Sequence, residues 1–504
     1  MAGLKDSDDF KDGEFFRAPF ALKLICLILG VGGTLLFILL ALILPEKAGA
    51  MGYSWLFAVV VFLSLGIGGL FWTLLHHATN SGWGTVVRRL MENLAGVIPV
   101  MLLMGLPLLI PFFGFRDALW EWFPKREAAL EAAEGKAADE LEVYVESHES
   151  KVKKGKAKLE ARKAEFAAIE DPSPGHRAHF EREIAALEAA VADLDGKYAS
   201  DEDVRTMLED KYFLKEEALL FAKKGYLNQF DWYFRFVLYF VALSGIALTL
   251  RGWSTRQDKD GDPKWFRWMR RWSCGFLPFY AAAWTFLVFD WLMALDYAWF
   301  STMWGVYLFA GAALSSMGTL IIVLTALRRA GYLNNVVTME HYHLMGKLLH
   351  AFVIFWAYIA FSQFFLIWYA NITEETKFYL TRNTAFWNGY TITFLVAGHF
   401  FLPFLVLLVR KVKMMPMVVS GISLWIFLMH VLDVYWIIIP ERGPSLTAGS
   451  GDIQMTIPGA WLFDILAFIS VAGIFGFVLL QKLGSASLFP CRDPRLDESL
   501  NVVN

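Results

Sequence analysis

The feature that most constrains this chain is an apolar and aromatic run from Leu348 to Tyr369, within the stretch 339–376. The run contains neither Pro nor Gly, and at about 1.5 Å per residue a helix of this length crosses the roughly 30 Å hydrocarbon core of a bilayer. The sequence therefore predicts a membrane-spanning helix here. We expect the rest of the chain to be arranged around this helix.

Composition places the whole chain in the same class. Of the 504 residues, 57% are hydrophobic and 16% are aromatic, and the mean hydropathy is +0.45; these values are typical of a polytopic membrane protein. The formal net charge of -3 combines an apolar body with one charged block. No basic face suited to nucleic acid is visible, so we expect no nucleic-acid partner.

The cysteine and histidine spacing argues against bound cofactors. Cys26, Cys274 and Cys491 stand far apart and form no C-x-x-C or C-x-x-C-H motif, which disfavours zinc, a c-type haem or an iron–sulfur cluster in this chain. No apolar stretch carries two histidines about 13 or 14 residues apart, as two stacked haems in one helix pair would need. We therefore predict a chain with no metal and no cofactor of its own.

Ten apolar stretches have the length of membrane spans, so the predicted fold is all-α with ten transmembrane helices. The stretches lie at about 20–44, 54–77, 94–115, 232–251, 275–295, 304–327, 346–370, 386–410, 417–439 and 459–481. A signal peptide is the alternative for the first stretch, since Ala48-Gly49-Ala50 resembles a cleavage site, but the run is too long for the apolar region of such a peptide. The predicted domains are a tail at 1–19, spans one to three in 20–123, an insert at 124–225, spans four to ten in 226–481 and a tail at 482–504.

Small residues and prolines predict how two of the spans pack. The prolines of the third span should bend it, since proline is tolerated in membrane helices. The cluster Gly66, Gly68 and Gly69 in the second span has a spacing that lets another helix approach closely. No strand precedes these glycines, so a nucleotide-binding loop is disfavoured.

The insert at 124–225 differs in composition from the apolar spans. It is rich in Ala, Glu and Lys, its apolar residues are spaced for helices, and the sequence Asp171-Pro-Ser-Pro-Gly175 breaks it. This predicts a water-exposed helical hairpin or short coiled coil. Its histidines, His148, His176 and His179, lie among charged residues and are expected to be solvated.

The charges of the short loops predict the orientation, because cytoplasmic loops carry an excess of Lys and Arg. With both termini cytoplasmic, the inner loops contain Arg88, Arg89, Arg251, Arg256, Lys259, Lys264, Arg267, Arg270, Arg271, Arg328, Arg329, Arg410, Lys411 and Lys413. The outer short loops keep only Lys47, Lys377, Arg382 and Arg442. The insert then lies on the opposite side, which in a bacterial inner membrane is the periplasm.

A polar stripe enters the membrane along the stretch 339–376. At 100° per residue, its members share one helix face; they are His343, Lys347, His350, Tyr358 and Ser362. Gln363 falls on nearly the opposite face, where we expect it to bond to a neighbouring helix. The alternative for His343 and Lys347 is contact with lipid headgroups.

Further ionisable residues lie at membrane depth, where an unpaired charge costs at least about 2.5 to 3.5 kcal/mol and usually marks an ion or proton path. By height they are Asp290, Asp296, His430, Asp433 and Asp464 in the outer half, His399 near the middle, and His76, His77, Lys347 and His350 in the inner half. His430 and Asp433 are three residues apart on one helix face and form a candidate proton-accepting pair. The alternative for Asp290, Asp296 and Asp464 is an ordinary place at a helix end.

Several motifs carry a resemblance to a known family. The longest is FDWLMALDYAWFSTMWGVYLFAG at 289–311; the others are GKL at 346–348, FWAY at 355–358, FSQ at 361–363, LIWYAN at 366–371 and EET at 374–376. With these motifs the chain resembles the F subunit of bacterial alternative complex III, a quinol:cytochrome c oxidoreductase. The resemblance extends over all ten spans and is strong in spans five to seven.

The resemblance implies a fold and a set of partners. The fold is that of the membrane-anchor subunits of polysulfide and nitrite reductases, with two four-helix bundles and two further helices. The partners are a homologous quinol-oxidising membrane subunit, an iron–sulfur protein, and multihaem and monohaem cytochromes c, with a terminal oxidase as a further candidate. The haem c and iron–sulfur clusters then belong to the partners, and menaquinol or another quinol is the substrate of the complex.

Three functions stay open from the sequence. The first is a subunit that conducts protons coupled to quinol oxidation, and the second is a quinol site in this chain, for which Asp290 with His399 is the best candidate pair, since such a site needs a proton acceptor at an apolar cleft. The third is a scaffold or a free-standing transporter. The commonest transporters show paired interrupted helices, and the third span has no matching partner.

Overall fold

The computed structural model describes residues 5–168, 173–197, 201–445 and 460–503. The chain divides into two compact units, one formed by Met1–Glu121 with Phe230–Asn504 and the other by Trp122–Gln229. All regular secondary structure in the described residues is helical. The longer helices are, in chain order, α1 (Phe20–Ile43), α2 (Pro45–Ala78), α3 (Thr85–Leu109), α4 (Trp122–Ala167), α5 (Pro174–Lys197), α6 (Asp201–Glu216), α7 (Gln229–Asp260), α8 (Pro263–Leu295), α9 (Trp304–Arg329), α10 (Met339–Ala370), α11 (Ala385–Leu408), α12 (Pro416–Arg442) and α13 (Ala460–Leu483).

Ten of these helices in the described residues, α1 to α3 and α7 to α13, are long and apolar enough to cross a membrane. This confirms the predicted all-α polytopic fold and its ten spans. The third span begins at Thr85 rather than near residue 94, because its first turns contain charged residues that the hydropathy pattern assigns to a loop. Position 459, the predicted start of the tenth span, lies outside the described residues.

Helix α2 is the centre of the membrane unit. In its most apolar window 89% of the residues are buried, compared with 28% in α10, and α2 packs against α1, α3, α8, α9, α12 and α13. The expectation that the chain is arranged around 339–376 is therefore wrong. Helix α10 lies at the periphery, where large aromatic residues such as Tyr358 and Trp368 point outward, whereas α2 carries glycines that let other helices approach it closely.

The other spans form two groups. Helices α9 to α12 pack against one another, and α2 packs with α3 and α8. Helix α7 joins this second group through Arg235, which bonds to Asp290 on α8, and through Arg251, which bonds to Asn93 on α3. Helices α1 and α13 pair with each other. Because α2 contacts members of both groups and also α13, the two four-helix bundles that the resemblance implies stay a prediction.

Close helix contact at the glycine cluster of α2 is confirmed. A Cβ on Gly68 would lie 2.1 Å from Ser316 Oγ and 2.2 Å from the carbonyl oxygen of Ala312, both on α9. A Cβ on Gly69 would lie 2.9 Å from the Leu94 side chain on α3. The missing side chains therefore let α2 touch α9 and α3 at the same level.

Helix α10 has well-defined ends. Thr338 caps its first turn, and its backbone N–H donates to His341 Nδ1 at 3.0 Å. Asn371 ends the helix with a φ of 51°, the left-handed conformation that commonly terminates helices.

Helix α11 is unusual because its segment Thr391–Phe401 is π-helical. A π-helical turn is wider than an α-helical one and changes which carbonyls are paired. The Trp425 indole on α12 donates to the carbonyl of Gly398 at 2.8 Å. The π segment also carries His399, which it places in the interior of the helix group α9 to α12.

The unit Trp122–Gln229 is a helical hairpin, as predicted, with a divided returning arm. Helix α4 packs against both α5 and α6. Ala137 on α4 meets Val204 and Leu208 on α6 in an apolar cluster, and Lys211 Nζ lies 2.8 Å from Glu140 Oε1. Of the predicted break at 171–175, residues 171 and 172 lie outside the described residues, and α5 begins at Pro174.

Candidate functional site

Asp433 is a buried carboxyl group held by two aromatic donors. It lies on α12 with 2% of its surface exposed. The Tyr307 hydroxyl on α9 donates to Oδ1 at 2.5 Å, and the Trp356 indole on α10 donates to Oδ2 at 3.0 Å. Among the described residues no Lys or Arg forms an ion pair with it. Such a carboxyl group at membrane depth is a candidate proton carrier.

His430 lies one turn before Asp433 and is equally buried. Its Nε2 is 2.8 Å from Ser64 Oγ on α2, and its Nδ1 has no hydrogen-bond partner among the described residues. Both side chains face Gly311 on α9, where a Cβ would lie 3.0 Å from His430 Nδ1 and 3.9 Å from Asp433 Oδ2. The predicted placement of the pair on one helix face is therefore correct, with Gly311 as the small residue between the two groups.

His399 completes this group of side chains. It is fully buried, its ring centroid is 3.9 Å from that of Trp356, and neither ring nitrogen has a hydrogen-bond partner in the described part of the chain. The side chains of Ser64, Tyr307, Trp356, His399, His430 and Asp433 are called the Asp433 cluster below. The cluster joins four helices of one group to the central helix α2.

A cavity of about 1030 Å³ lies beside the Asp433 cluster. It is lined by α10, α11, the start of α9 and the short helix Thr373–Leu380. Tyr307 and Trp356, the two donors to Asp433, form part of its wall. Gln363 also lines it, and contrary to expectation neither atom of its buried amide bonds to a neighbouring helix or to any other described group.

The structure does not bring Asp290 and His399 together. Asp290 on α8 accepts from Arg235 Nε and Nη2 at 2.9 Å each and from the Tyr239 hydroxyl at 2.6 Å. These partners belong to α7, in the other helix group. The candidate quinol pair is therefore not formed, because Asp290 is engaged in an ion pair of its own and His399 lies against Trp356.

The other outer aspartates also have structural partners, which fits the helix-end alternative. Asp464 accepts from Ser54 Oγ at 2.6 Å and from Arg442 Nη2 at 2.5 Å. Asp296 lies 2.6 Å from Lys377 Nζ. Each of these carboxylates thus has a cation beside it, unlike Asp433.

The polar stripe of α10 is divided between the interior and the surface. His343 is buried beside Glu340 at 3.4 Å, and His350 stacks on Phe404 with its Nδ1 unpartnered among the described groups. Lys347 and Tyr358 are exposed on the side of α10 that faces away from the other helices. The residues of the polar stripe share one face of α10, but that face is only partly buried. They therefore do not form one continuous buried path.

His76 and His77 are buried at the end of α2. Their ring centroids are 6.1 Å apart and their planes make an angle of 80°. The Nε2 atom of each ring has no hydrogen-bond partner within the described ranges. Each ring therefore has a nitrogen atom inside the membrane unit that can still form a hydrogen bond.

A buried charge cluster was missed by the sequence analysis, which assigned Arg88 and Arg89 to a loop. Both lie inside α3 and are almost fully buried. Arg88 pairs with Glu92 at 3.1 Å and Asp493 at 2.8 Å, and Arg89 pairs with Glu92 at 2.9 Å and Asp258 at 2.7 Å. The charges are tolerated in the interior because they neutralise one another.

A signal for three of the five residues of this charge cluster was present in the sequence. Arg88, Arg89 and Glu92 have the three- and four-residue spacing of intrahelical pairs. Asp258 comes from α7 and Asp493 from the C-terminal tail, and no local pattern connects them to α3. The predicted tail at 482–504 is thus folded onto the membrane unit; in it, the backbone N–H of Cys491 also donates to Asp258 at 3.1 Å.

The chain matches no family model, and no curated protein matches it significantly. The structure by itself defines the class, an all-α polytopic membrane protein with a polar cluster buried beside an aromatic cavity. The resemblance to the F subunit of alternative complex III stays a prediction, as does the prediction that this chain holds no metal or cofactor.

Proposed function

We propose that this chain is a membrane subunit, without cofactors of its own, of a quinol:cytochrome c oxidoreductase of the alternative complex III type, and that it provides a proton path coupled to quinol oxidation. The observation that carries the proton path is Asp433, which is buried with two aromatic donors and no cation beside it in the described part of the chain. Ionisable groups of this kind in membrane helices mark proton relays. The motifs between 289 and 376 support the redox assignment.

The path runs from Tyr307 through Asp433 and His430 to Ser64. Asp433 and His430 do not bond directly, but both face the space beside Gly311. Transfer between the two groups therefore requires a bridging water, which can take the place of a direct hydrogen bond. A neutral imidazole has one ring nitrogen that donates and one that accepts, so His430 can pass a proton between Asp433 and Ser64.

The inner end of the proton path is assigned from the position and burial of three histidines. His76 and His77 on α2 are the continuation that we assign toward the inner side, because both are buried. His350, half-buried on α10, is a second candidate for this end, whereas Lys347 is exposed and serves the headgroup contact that the sequence left open. Electron transfer takes place in the partner subunits and needs none of these side chains.

The proposed location is the bacterial inner membrane, with both termini cytoplasmic and the unit Trp122–Gln229 in the periplasm. The charge asymmetry of the short loops supports it. Removing Arg88 and Arg89 from the count, because they are buried in α3, leaves the asymmetry in place. The partners are those of the family: the homologous membrane subunit, the iron–sulfur protein, the cytochromes c and lipids.

Labelling of single cysteines tests this orientation. In a variant without the three natural cysteines, Ser173→Cys in the insert should react with an impermeant thiol reagent added to intact cells. Lys411→Cys, exposed between α11 and α12, should react only after the membrane is opened. Labelling of Lys411→Cys with protection of Ser173→Cys would reverse the orientation.

The proton path is tested by Asp433→Asn in the intact complex. Asn keeps the size of the side chain and an acceptor for Trp356, but it cannot carry a proton. In vesicles we expect quinol:cytochrome c turnover to persist while the proton release that accompanies it falls severalfold. Asp296→Asn is the matched control, since it removes a carboxylate whose partner is Lys377 at the helix end.

Two other outcomes would contradict the proposal. Unchanged proton release in Asp433→Asn and His430→Ala, with full turnover, would leave the scaffold function. Failure of the chain to co-purify with haem and iron–sulfur proteins would remove the redox complex and favour a free-standing transporter. The cavity beside the cluster favours a quinol-binding function as the second candidate.

A further inference from the structure

We infer that a groove between α7 and α8 binds an anionic phospholipid, with an acyl chain along the groove and the phosphate at the arginines near its end. The α7–α8 groove is bordered by Gly245, Thr249, Gly252 and Arg256 on α7 and by Trp268, Trp272, Gly275 and Phe279 on α8. The inference goes beyond the proposed function, because it needs only that the two helices cross a membrane. Neither the proton path nor the proposed redox partners account for this surface.

The two rows of residues border the line along which α7 and α8 meet. Within each row the spacing is four, three and four residues, which keeps the row on one face of its helix. The rings of Trp253 and Trp268 are 5.7 Å apart at their centroids, and the Arg256 guanidinium lies 5.5 Å from the centroid of the Trp265 ring. These contacts set the register of an antiparallel hairpin, in which glycines of the two helices lie at nearly the same level.

Three glycines leave the groove open. A Cβ added at Gly245 or Gly252 on α7, or at Gly275 on α8, would meet no heavy atom of the described chain within 4 Å. Glycines in membrane helices usually let another helix approach closely, but these three face open space. Beside them, Trp272 and Phe279 are 50% and 68% exposed. The groove therefore offers an apolar, unfilled surface on which an acyl chain can lie within the bilayer.

The end of the groove, at the turn between the two helices, has an excess of positive charge. Its cations are Arg256, Lys259, Lys264, Arg267, Arg270 and Arg271, and its aspartates are Asp260 and Asp262, besides Asp258, whose partner is Arg89. Asp262 pairs with Lys264 at 2.9 Å, and Asp260 accepts from the Trp265 indole at 2.8 Å. Among the described residues Arg256, Arg267 and Arg271 form no ion pair. Their guanidinium groups are thus open to an anionic ligand.

The chemistry of this end matches a phosphate at the membrane surface. A guanidinium group donates two parallel hydrogen bonds to a phosphate. Arg271 lies between Trp268 and Trp272 in the sequence, and tryptophan is enriched where the hydrocarbon core meets the head groups. Basic pockets between membrane helices bind the head groups of anionic lipids. A zwitterionic lipid brings a cation of its own, which the excess positive charge repels, so the favoured class is a phospholipid with a net negative charge.

Photolabelling of the full-length chain in lipid nanodiscs tests the inference. The discs consist of phosphatidylcholine with a small fraction of a phosphatidylglycerol that carries a diazirine in one acyl chain, and labelled peptides are identified by mass spectrometry. In the unchanged chain we expect labels within 241–252 and 268–279. A phosphatidylcholine with the same diazirine chain should label these peptides about fivefold less, because the cations attract only the anionic probe.

Two variants separate the head group from the chain. The double change Arg256→Gln with Arg271→Gln should lower labelling by the phosphatidylglycerol probe to near the level of the phosphatidylcholine probe. Gly245→Leu fills the groove but keeps every cation, and it should lower labelling within 268–279 by both probes because the acyl chain is displaced. Both arginines are exposed and Gly245 faces open space, so the Tm of each variant should stay unchanged.

The matched control is the double change Arg329→Gln with Lys411→Gln. It removes two exposed cations at the ends of other spans and should leave labelling of the groove unchanged. An equal fall in the control would mean that the charge of the whole protein attracts the probe, and it would overturn the inference. Equal labelling by the two probes in the unchanged chain would do the same.

Two further outcomes would also refute the lipid site. Labelling that glycerol phosphate in solution abolishes would mean that the arginines hold a free phosphate rather than a lipid. Absence of labels from both peptides with either probe would mean that the groove does not take a lipid chain and is left for a helix of a partner. None of these measurements depends on proton release or on partner subunits, so the result is independent of the Asp433→Asn test.

Discussion

At the scale of single residues, the Asp433 cluster differs from the other buried polar groups in the partners of its side chains. Asp290, Asp464 and Asp296 each have a cation beside them, and burial with such a partner is ordinary structural chemistry. Asp433 has only neutral donors, and His399 and His430 have ring nitrogens without partners in the described residues. The difference between a structural aspartate and a candidate proton carrier is thus the neighbouring side chain, not the residue type.

Gly311 gives a residue-scale prediction. Gly311→Ala places a methyl group 3.0 Å from His430 Nδ1, in the space between His430 and Asp433. We expect the fold to survive with a loss of roughly 1 to 3 kcal/mol, as for other overpacked sites, and the proton release of the intact complex to fall. The measurement is proton release per turnover in vesicles, together with thermal stability.

Gly318→Ala is the control for Gly311→Ala, because its Cβ would lie 3.2 Å from the carbonyl of Ser423 and meets no ionisable group. It should lower stability by a similar amount and leave proton release unchanged. Equal proton release in both variants would show that the space at Gly311 is not on the path.

At the scale of elements, helix contact is decided by small residues on the central helix. Gly68→Ala would force a methyl group to within 2.1 Å of Ser316 Oγ and 2.2 Å of a backbone oxygen of α9. Because a backbone carbonyl cannot rotate away, α2 and α9 must separate. We expect a loss of roughly 1 to 3 kcal/mol or more, seen as a lower Tm of the purified chain in detergent.

Gly245→Ala on α7 is the matched change, since nothing lies within 4 Å of the added Cβ. Alanine is preferred over glycine inside a helix by roughly 0.5 to 1 kcal/mol, so this variant should be as stable as the unchanged chain or slightly more stable. A Tm for Gly68→Ala equal to that of Gly245→Ala would mean that α2 and α9 are not in close contact.

At the scale of the whole molecule, the buried charge cluster ties distant segments together. Arg88→Met leaves Asp493 without its cation in the interior. Removing one partner of a buried pair typically costs about 3 to 5 kcal/mol, so we expect a lower Tm and release of the C-terminal tail. Faster proteolysis within 484–503 is the measurement.

Lys259→Met removes an exposed positive charge from the same region and should change neither Tm nor cleavage of the tail. Tail cleavage at the same rate in both variants would show that Arg88 does not hold the tail. The hydropathy pattern places Arg88 and Arg89 in a loop, and only their buried partners allow them to lie inside α3.

The sequence determined the ten spans, the all-α class and the separate charged insert, because hydropathy and helical spacing are local properties. It also indicated three of the six residues of the Asp433 cluster, which are His399, His430 and Asp433, and the glycines through which α2 contacts other helices. The tertiary structure decided that α2 rather than α10 is central, that Asp290 pairs with Arg235, and that a cavity lies beside Trp356. These facts depend on contacts between distant residues, such as Ser64 with His430 and Arg88 with Asp493, which form only when all the helices have packed.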